Sequence, residues 1–173
     1  MKYLTLLFIF SVNAHAQEHN NVNFSNCGLS QQAIDLANLI IEANNQQRKQ
    51  LHCNSQLAEL ALIKAKIMAK ANQIRHRIDH TTPNELLRNN GIMLPKNYGI
   101  FDNQVESIMG AVKTAQESFD IFMTSAGHKY HLLGEDEFLL SQNQIGVGFY
   151  KDEDSEHVYH WVVYITEIIA DKK

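Results

Sequence analysis

The chain has 173 residues, of which 45% are hydrophobic and 20% are charged, and this balance fits one ordinary globular domain with a proper core. The net charge is −4 and no basic patch stands out, so a nucleic acid is not expected as a partner. No apolar stretch after residue 16 is long enough to cross a bilayer, so no transmembrane segment is expected there.

The N-terminus has the parts of a secretory signal peptide. Residues 1–16 contain a lysine, then a short apolar run, then a small-x-small cleavage site from Ala14 to Ala16. The segment is typical of bacteria, so we expect a secreted or periplasmic protein that is cleaved near Ala16. Residues 17–29 are predicted to form a polar leader, and residues 30–173 a single domain.

Two cysteines remain in the mature chain, Cys27 and Cys53. An even number of cysteines in an oxidising compartment favours a disulfide. The bridge would tie the N-terminal segment to the start of the second predicted helix. Closing a loop of about 27 residues would stabilise the protein by roughly 3 kcal/mol on the chain-entropy model. Two free buried thiols are the alternative.

Apolar residues at helical spacing predict two long helices in the N-terminal part of the chain. The first covers about 30–50, and Ser30 can cap it. The second covers about 54–72, and its many alanines predict tight packing against another element. Lys64, like the neighbouring lysines of this helix, is predicted to face solvent.

The next part of the chain is predicted to contain short elements. An irregular segment with two histidines covers 74–82. A short helix over 84–90 follows, which Pro83 can begin and Gly91 can end. A loop over 92–103 then leads to the centre of the chain.

The C-terminal part is predicted to end in a pair of strands. After a loop over 135–141, β-prone residues occur over 144–150 and again over 159–165. Gly146 and Gly148 would let another backbone or a ligand come close. The two strands pair most simply as an antiparallel hairpin. The chain thus has helices first, then short elements of mixed type, and then a hairpin. This order predicts an α+β fold with helices on an antiparallel sheet.

Three ionisable residues in the central stretch come from three different predicted elements. Glu106 lies in a short strand, Glu117 lies in a helix over 114–125, and His128 follows a turn expected at Gly127. Polar residues set among apolar ones in this way are candidates for a shared site. Each also has a structural alternative. Glu117, for example, can complete a capping box with the threonine that begins its helix.

Several short motifs, taken in order and with their spacing, resemble the CAP superfamily of cysteine-rich secretory, antigen five and pathogenesis-related proteins. The similarity covers about 36–165 and is closest to secreted bacterial SCP-domain proteins. The motifs that carry it include Asn45-Gln46-Gln47-Arg48, Thr82-Pro83-Asn84-Glu85, Val105-Glu106-Ser107-Ile108 and the segment from Phe122 to His128, which is similar to W-x-x-S-x-G-H.

This resemblance implies a three-layer α-β-α sandwich with a central antiparallel sheet and a cleft that carries two histidines and two glutamates. By position these are His76, Glu106, Glu117 and His128, so the resemblance adds His76 to the group. His80 is the rival of His76 for that position. In some relatives the two histidines hold a divalent metal, often zinc, which makes His76 and His128 the implied metal ligands.

Two imidazoles suit zinc, but a catalytic zinc site normally has three protein ligands and a water molecule. Nearby glutamates could orient the imidazoles or take a proton from metal-bound water. We therefore expect a monomeric, secreted module that binds a metal, an unidentified small ligand or a component of the cell envelope. The alternatives are a metal-assisted hydrolase of peptide or cell-wall material, and a buried cluster with a structural role only.

Overall fold

The computed structural model describes residues 26–100 and 102–169, so the predicted signal peptide and most of the predicted leader lie outside the described residues. No helix in this part of the chain has both the length and the apolar character that a membrane span requires. In chain order, the elements are α1 (Gln31–Ile41), β1 (His52–Cys53), α2 (Ser55–Ala71), α3 (Pro83–Asn89), β2 (Glu106–Gly110), α4 (Ala115–Thr124), α5 (Ala126–Leu133), α6 (Glu137–Leu140), β3 (Gln144–Lys151) and β4 (Tyr159–Thr166).

The strands form one mixed sheet in the order β1-β3-β4-β2. β3 and β4 pair as the predicted antiparallel hairpin, and β2 is antiparallel to β4. β1 is parallel to β3, with His52 beside Gln144 and Cys53 beside Ile145. The sheet therefore differs at this edge from the antiparallel sheet that the resemblance implies. The chain returns from β1 to β3 through a long crossover that begins with α2, and a crossover of this kind permits a parallel pair.

Helices cover both faces of the sheet, and each face has its own hydrophobic core. Successive side chains of a strand point to opposite faces. Trp161 and Val163 of β4 therefore pack with α1 and α4, whereas Val162 and Tyr164 pack with α2 and α3. The α+β class is confirmed, and the helices and the sheet form three layers, α-β-α.

The close packing of α2 on the sheet depends on two glycines of β3. A Cβ atom added at Gly146 would overlap the backbone of Ala58, and one added at Gly148 would overlap the backbone of Ala61. Only glycine lets the helix backbone come this near the strand. The prediction that another backbone approaches at these glycines is confirmed.

The first helix and the predicted loop over 135–141 differ from their predicted structure. The first helix ends at Ile41 rather than near residue 50, because the residues that follow turn away to make contacts elsewhere. Among them, Arg48 donates a hydrogen bond to the carbonyl oxygen of Leu132 at 2.9 Å. The predicted loop over 135–141 contains the short helix α6, whose N-cap is Asp136.

The predicted disulfide between Cys27 and Cys53 is present. It joins two segments that lie along the same edge of β3. β1 pairs with the start of β3, and Gly28 forms an isolated parallel bridge with Val147 further along. The Val147 N–H also donates to the Cys27 carbonyl oxygen at 2.7 Å. The cross-link therefore holds together the two segments that cover this edge. Cys53 lies in β1 and directly precedes Asn54, the N-cap of α2, so the bridge ties the N-terminal segment to the start of the second helix as predicted.

Candidate functional site

A cavity of about 400 Å³ opens at the beginning of β2 and beside the first turn of α5. Small-molecule sites in proteins usually have volumes of roughly 300–1,000 Å³, so the cavity is large enough for such a ligand. Phe138 and Leu139 of α6 give its wall an apolar part. Its ionisable and hydroxyl-bearing lining residues include His76, Glu106, Ser107, His128, Tyr130, His131 and Asp136.

The structure brings three of the four predicted cleft residues, His76, Glu106 and His128, to this cavity. Glu117 does not line it. The Glu117 carboxylate is exposed and accepts hydrogen bonds from the Thr114 backbone N–H at 3.3 Å and hydroxyl at 2.8 Å, which completes a capping box. The cavity lies at the start of β2, whereas α4 begins after the end of β2. The length of this strand therefore separates Glu117 from the cavity. The cleft therefore has one of the two glutamates that the resemblance implies.

The Glu106 carboxylate is buried beneath the cavity, and both of its oxygens are engaged. Oε1 lies 2.9 Å from His76 Nδ1, and Oε2 accepts a hydrogen bond from the Tyr164 hydroxyl at 2.9 Å. Lys64 Nζ lies 4.0 Å from Oε2 and supplies the opposite charge that a buried carboxylate requires. Burial raises the pKa of Tyr164 well above its usual range, and the Glu106 charge adds to that effect.

Lys64 is buried, which corrects its predicted outward orientation. It is 3% exposed, and its Nζ also donates a hydrogen bond to the His76 carbonyl oxygen. Burial lowers the pKa of Lys64, and the charge of Glu106 offsets part of that change. The sequence contains a signal for this burial, because Lys64 lies three residues after Ala61 and four before Met68, on the buried stripe of α2.

The contacts of His76 determine which ring nitrogen carries its proton. Nδ1 lies 2.9 Å from Glu106 Oε1 and 3.0 Å from Asn103 Nδ2. A carboxylate can only accept and an amide NH₂ can only donate, so Nδ1 cannot bond to both. The Asn103 amide is held elsewhere, since it accepts from the Glu106 N–H and donates to the Glu106 carbonyl, each at 2.9 Å. The charge-assisted bond is stronger, so we assign a proton on Nδ1 that is donated to Oε1.

His76, rather than its rival His80, is the histidine of this segment at the cavity. The His76 side chain is 43% exposed, and Nε2 has no hydrogen-bond partner among the described residues. His80 is exposed, and its backbone has a φ of 63°. Although the two residues are four apart, the segment is not helical, so they do not share a face.

His128 lies in the first turn of α5. The break between α4 and α5 is at Ser125, with φ −88° and ψ 115°, and not at Gly127, which is helical. The His128 ring packs edge-on against Phe122, with ring centroids 5.0 Å apart. Partial burial lowers the pKa of His128, and the neighbouring His76 lowers it further.

A third histidine, His131, lines the cavity, although its position in the sequence gives it no evident role. It is buried, and its Nδ1 lies 2.8 Å from Ser107 Oγ. Burial lowers the pKa of His131 to about 3, and the positive charge of Arg48 contributes to the lowering. A serine beside a histidine can act as nucleophile and base, but an imidazole with so low a pKa is a poor proton acceptor at neutral pH. The pair is better suited to shaping the wall.

Arg48 holds the wall that contains His131. Its buried guanidinium donates to the carbonyl oxygens of His131 at 2.8 Å, Leu132 at 2.9 Å and Leu139 at 3.0 Å. These carbonyls lie near the C-terminal ends of α5 and α6, where a cation is favourable. Burial lowers the pKa of Arg48 to about 10, so it stays charged at neutral pH. The arginine that ends the Asn45–Arg48 motif therefore positions one wall of the cavity.

Tyr130 and Asp136 form a hydrogen-bonded pair where the cavity meets solvent. The Tyr130 hydroxyl donates to Asp136 Oδ2, and Asp136 Oδ1 accepts from the Leu139 N–H at 2.7 Å. This shared hydrogen bond lowers the pKa of Asp136 and raises the pKa of Tyr130. Both Asp136 oxygens, like those of Glu106, therefore already have protein partners.

Two of the three imidazoles that line the cavity, those of His76 and His128, are partly exposed, and the third, His131, is buried. Within residues 26–100 and 102–169, no group of three or more histidine, cysteine, aspartate or glutamate side chains could hold a metal. The oxygens of Glu106 already have protein partners, and Glu117 lies outside the cavity. A divalent ion at His76 and His128 would need water or a bound molecule to complete its coordination. This donor set does not fit a catalytic zinc centre with three protein ligands.

Comparison with known proteins finds one similar fold and does not identify a function. No protein-family model matches the chain, and no curated protein matches it. Among solved structures, the chain is similar to an outer surface protein from Borrelia burgdorferi, with a TM-score of 0.59 and 19% sequence identity. The similarity covers 78% of this chain and 93% of that chain. At this level of identity the likeness shows a shared fold alone.

Proposed function

We propose that this chain is a secreted or periplasmic module of the CAP superfamily and that the cavity binds a small ligand or a polar group of an envelope component. One observation carries the proposal: two partly exposed imidazoles, His76 and His128, meet at a cavity of about 400 Å³. The fold that the chain shares with an outer surface protein supports a location in the envelope.

The free hydrogen-bonding groups of the cavity indicate the kind of ligand. His76 Nε2 accepts a hydrogen bond when the ring is neutral, and the His128 ring can donate or accept. The first backbone N–H groups of α5 are further donors, because Ser125 forms no side-chain cap there. Phe138 and Leu139 add apolar surface. We expect a small polar molecule with a short apolar part, such as an amino acid or a short peptide.

Two matched variants of α5 test whether this cavity is the binding site. A Cβ added at Gly127 meets no atom within 4 Å, so Gly127→Phe places a ring beside the cavity without a backbone clash. Ala126→Phe introduces the same ring at an exposed neighbouring position that does not line the cavity. Wild type and both variants are screened by NMR against free amino acids and dipeptides, with the imidazole resonances as the readout.

We expect at least one probe to shift the resonances of His76 and His128 in the wild type. The Gly127→Phe variant should lose that response, because its ring occupies the space that the probe needs. The Ala126→Phe variant should keep it. Probes that leave both imidazoles unchanged, or that bind equally well to Gly127→Phe, would show that the cavity is not the site.

A metal-assisted hydrolase is the second candidate, and one contact favours it. His76 donates Nδ1–H to Glu106, and this arrangement commonly orients a histidine that binds a metal through Nε2. The test is calorimetric titration of zinc into the mature protein and into a His76→Ala/His128→Ala double variant. Micromolar or tighter binding that the double variant loses would support this candidate. Absence of binding to the wild type would remove it and leave the ligand-binding module.

A further inference from the structure

We infer that Glu106, kept ionised by Lys64 and bonded at its other oxygen by Tyr164, fixes the tautomer of His76, so that a ligand in the cavity meets an unprotonated Nε2. The group that contacts His76 would then be a hydrogen-bond donor, such as a hydroxyl or an amino group. The statement about the ligand rests on the proposed function. The tautomer itself is a property of the free protein and can be measured without any ligand.

The first step concerns the charge of Glu106. Its side chain is fully buried, and the Lys64 side chain is 4% exposed, with Nζ 4.0 Å from Oε2. A buried carboxylate without a partner is very costly, and a buried cation nearby reduces that cost. Lys64 therefore favours the ionised form of Glu106, in which both oxygens can only accept hydrogen bonds.

The second step concerns the direction of the hydrogen bonds to Glu106. The Tyr164 hydroxyl has one proton, and its short contact is with Oε2 at 2.9 Å, so Oε2 accepts. Oε1 has His76 Nδ1 as its short contact, also at 2.9 Å. Because an ionised carboxylate cannot donate, Nδ1 must carry the proton. In the neutral ring, Nε2 is then left with its lone pair.

The third step concerns the position of His76. Lys64 Nζ donates to the backbone carbonyl oxygen of His76, so one lysine contacts both the main chain of His76 and its carboxylate partner. The segment that contains His76 is irregular, and this bond links it to the rigid helix α2. The ring remains 43% exposed beside the cavity. Lys64 is thus a positioning residue, and it does not itself reach a ligand.

The experiment measures the nitrogen chemical shifts of His76 in the free mature protein at about pH 8.5, where an ordinary imidazole with a pKa of about 6.5 is neutral. The variants are Lys64→Met, which removes the buried charge, and Tyr164→Phe, which removes only the hydroxyl. Lys70→Met is the matched control, because Lys70 is an exposed lysine of the same helix.

In the wild type and in Lys70→Met, we expect the tautomer with the proton on Nδ1 to dominate. In Lys64→Met the tautomer ratio should move toward the Nε2–H form, by about tenfold if the charged hydrogen bond from Nδ1 is lost. Tyr164→Phe keeps the buried charge of Lys64 and the contact of Nδ1 with Oε1, so the tautomer with the proton on Nδ1 should still dominate in that variant. If Lys64 only stabilised the fold, its substitution would change the melting temperature and leave the tautomer ratio of His76 unchanged.

Two results would overturn the inference. One is a wild-type His76 that carries its proton on Nε2. The other is a wild-type ratio in the folded Lys64→Met variant. If Lys64→Met does not fold, the question is decided by whether the proton of His76 lies on Nδ1 in the wild type and in Tyr164→Phe. A failed ligand screen would count against the proposed function and would not alter this measurement.

Discussion

His128 and His131 lie three residues apart in α5 and have different surroundings. His128 is partly exposed and packs against Phe122, whereas His131 is buried with Ser107 on one side and Arg48 near its backbone. Burial lowers the pKa of both rings, and for His131 it lowers the pKa to about 3. Of the two, His128 is therefore the residue with which a ligand can exchange a proton, and His131 stays neutral as part of the wall.

The buried His131 should make the stability of the protein depend on pH. Its pKa is about 3 in the folded state and about 6.5 in an unfolded chain, so between these values only the unfolded chain binds the proton. Stability should fall as the pH is lowered through this window, by on the order of 1 kcal/mol per pH unit, and His131 has no such effect above it.

A His131→Gln variant, whose amide does not titrate, should lose this part of the pH dependence. The measurement is the free energy of unfolding in urea at several pH values from about 7 to about 4. His52→Gln, at an exposed histidine of β1, is the control and should keep the wild-type slope. Equal slopes for His131→Gln and wild type would contradict the burial of an uncharged ring at this position.

At the scale of single elements, α4 shows how a local sequence signal decides the role of a candidate residue. Thr114 accepts a hydrogen bond from the Glu117 N–H at 3.2 Å, and the Glu117 carboxylate accepts two from the threonine. This exchange satisfies N–H groups that a helix start otherwise leaves free. The Glu117 side chain is therefore occupied at the start of α4 and does not reach the cavity.

Two substitutions separate capping from a role in the cleft. Thr114→Ala should lower the free energy of unfolding by about 1 kcal/mol, because the N-cap acceptor is lost. Glu117→Gln should have little effect on stability, since glutamine also completes a capping box. Both variants should leave the His76 and His128 resonances unchanged. A clear shift of either resonance in Glu117→Gln would place Glu117 at the cavity after all.

At the scale of the whole molecule, the disulfide closes the sheet edge opposite β2. β1 and the Cys27–Gly28 segment pair with successive parts of β3, and the cross-link joins them. An uncovered edge would present unpaired N–H and C=O groups to other chains. The bridge therefore both stabilises the fold and protects its edge.

A Cys27→Ser/Cys53→Ser variant should be less stable by about 3 kcal/mol, because its unfolded chain is no longer cross-linked. The Val147 N–H, which bonds to the Cys27 carbonyl, should exchange with solvent faster than in the wild type. Urea denaturation and amide exchange measured by NMR give both quantities. The Ala111 N–H, which bonds to the Tyr159 carbonyl oxygen at 3.0 Å just after β2, serves as the internal reference and should change less.

Most of the helices and strands could be predicted, because their signals lie in neighbouring residues. Ser30 and Thr114 were predicted to cap helices, and the structure confirms both as the N-caps of α1 and α4. The even number of cysteines predicted the disulfide between Cys27 and Cys53. Glu106 and His128 were identified as candidate site residues because they are polar residues set among apolar ones in the sequence. His76 came from the resemblance to the CAP superfamily, which remains a proposal for this chain.

Which of these side chains share an environment depends on how the layers pack, and no local pattern predicts it. Lys64 is charged and so was predicted to face solvent, yet the packing of α2 on the sheet buries it beside Glu106. Arg48 and His131 are 83 residues apart in the chain and meet because α1 ends early. Sequence patterns indicate the local structure of residues that are close together in the chain. The contacts that define this cavity join distant ones, and packing of the layers brings them together.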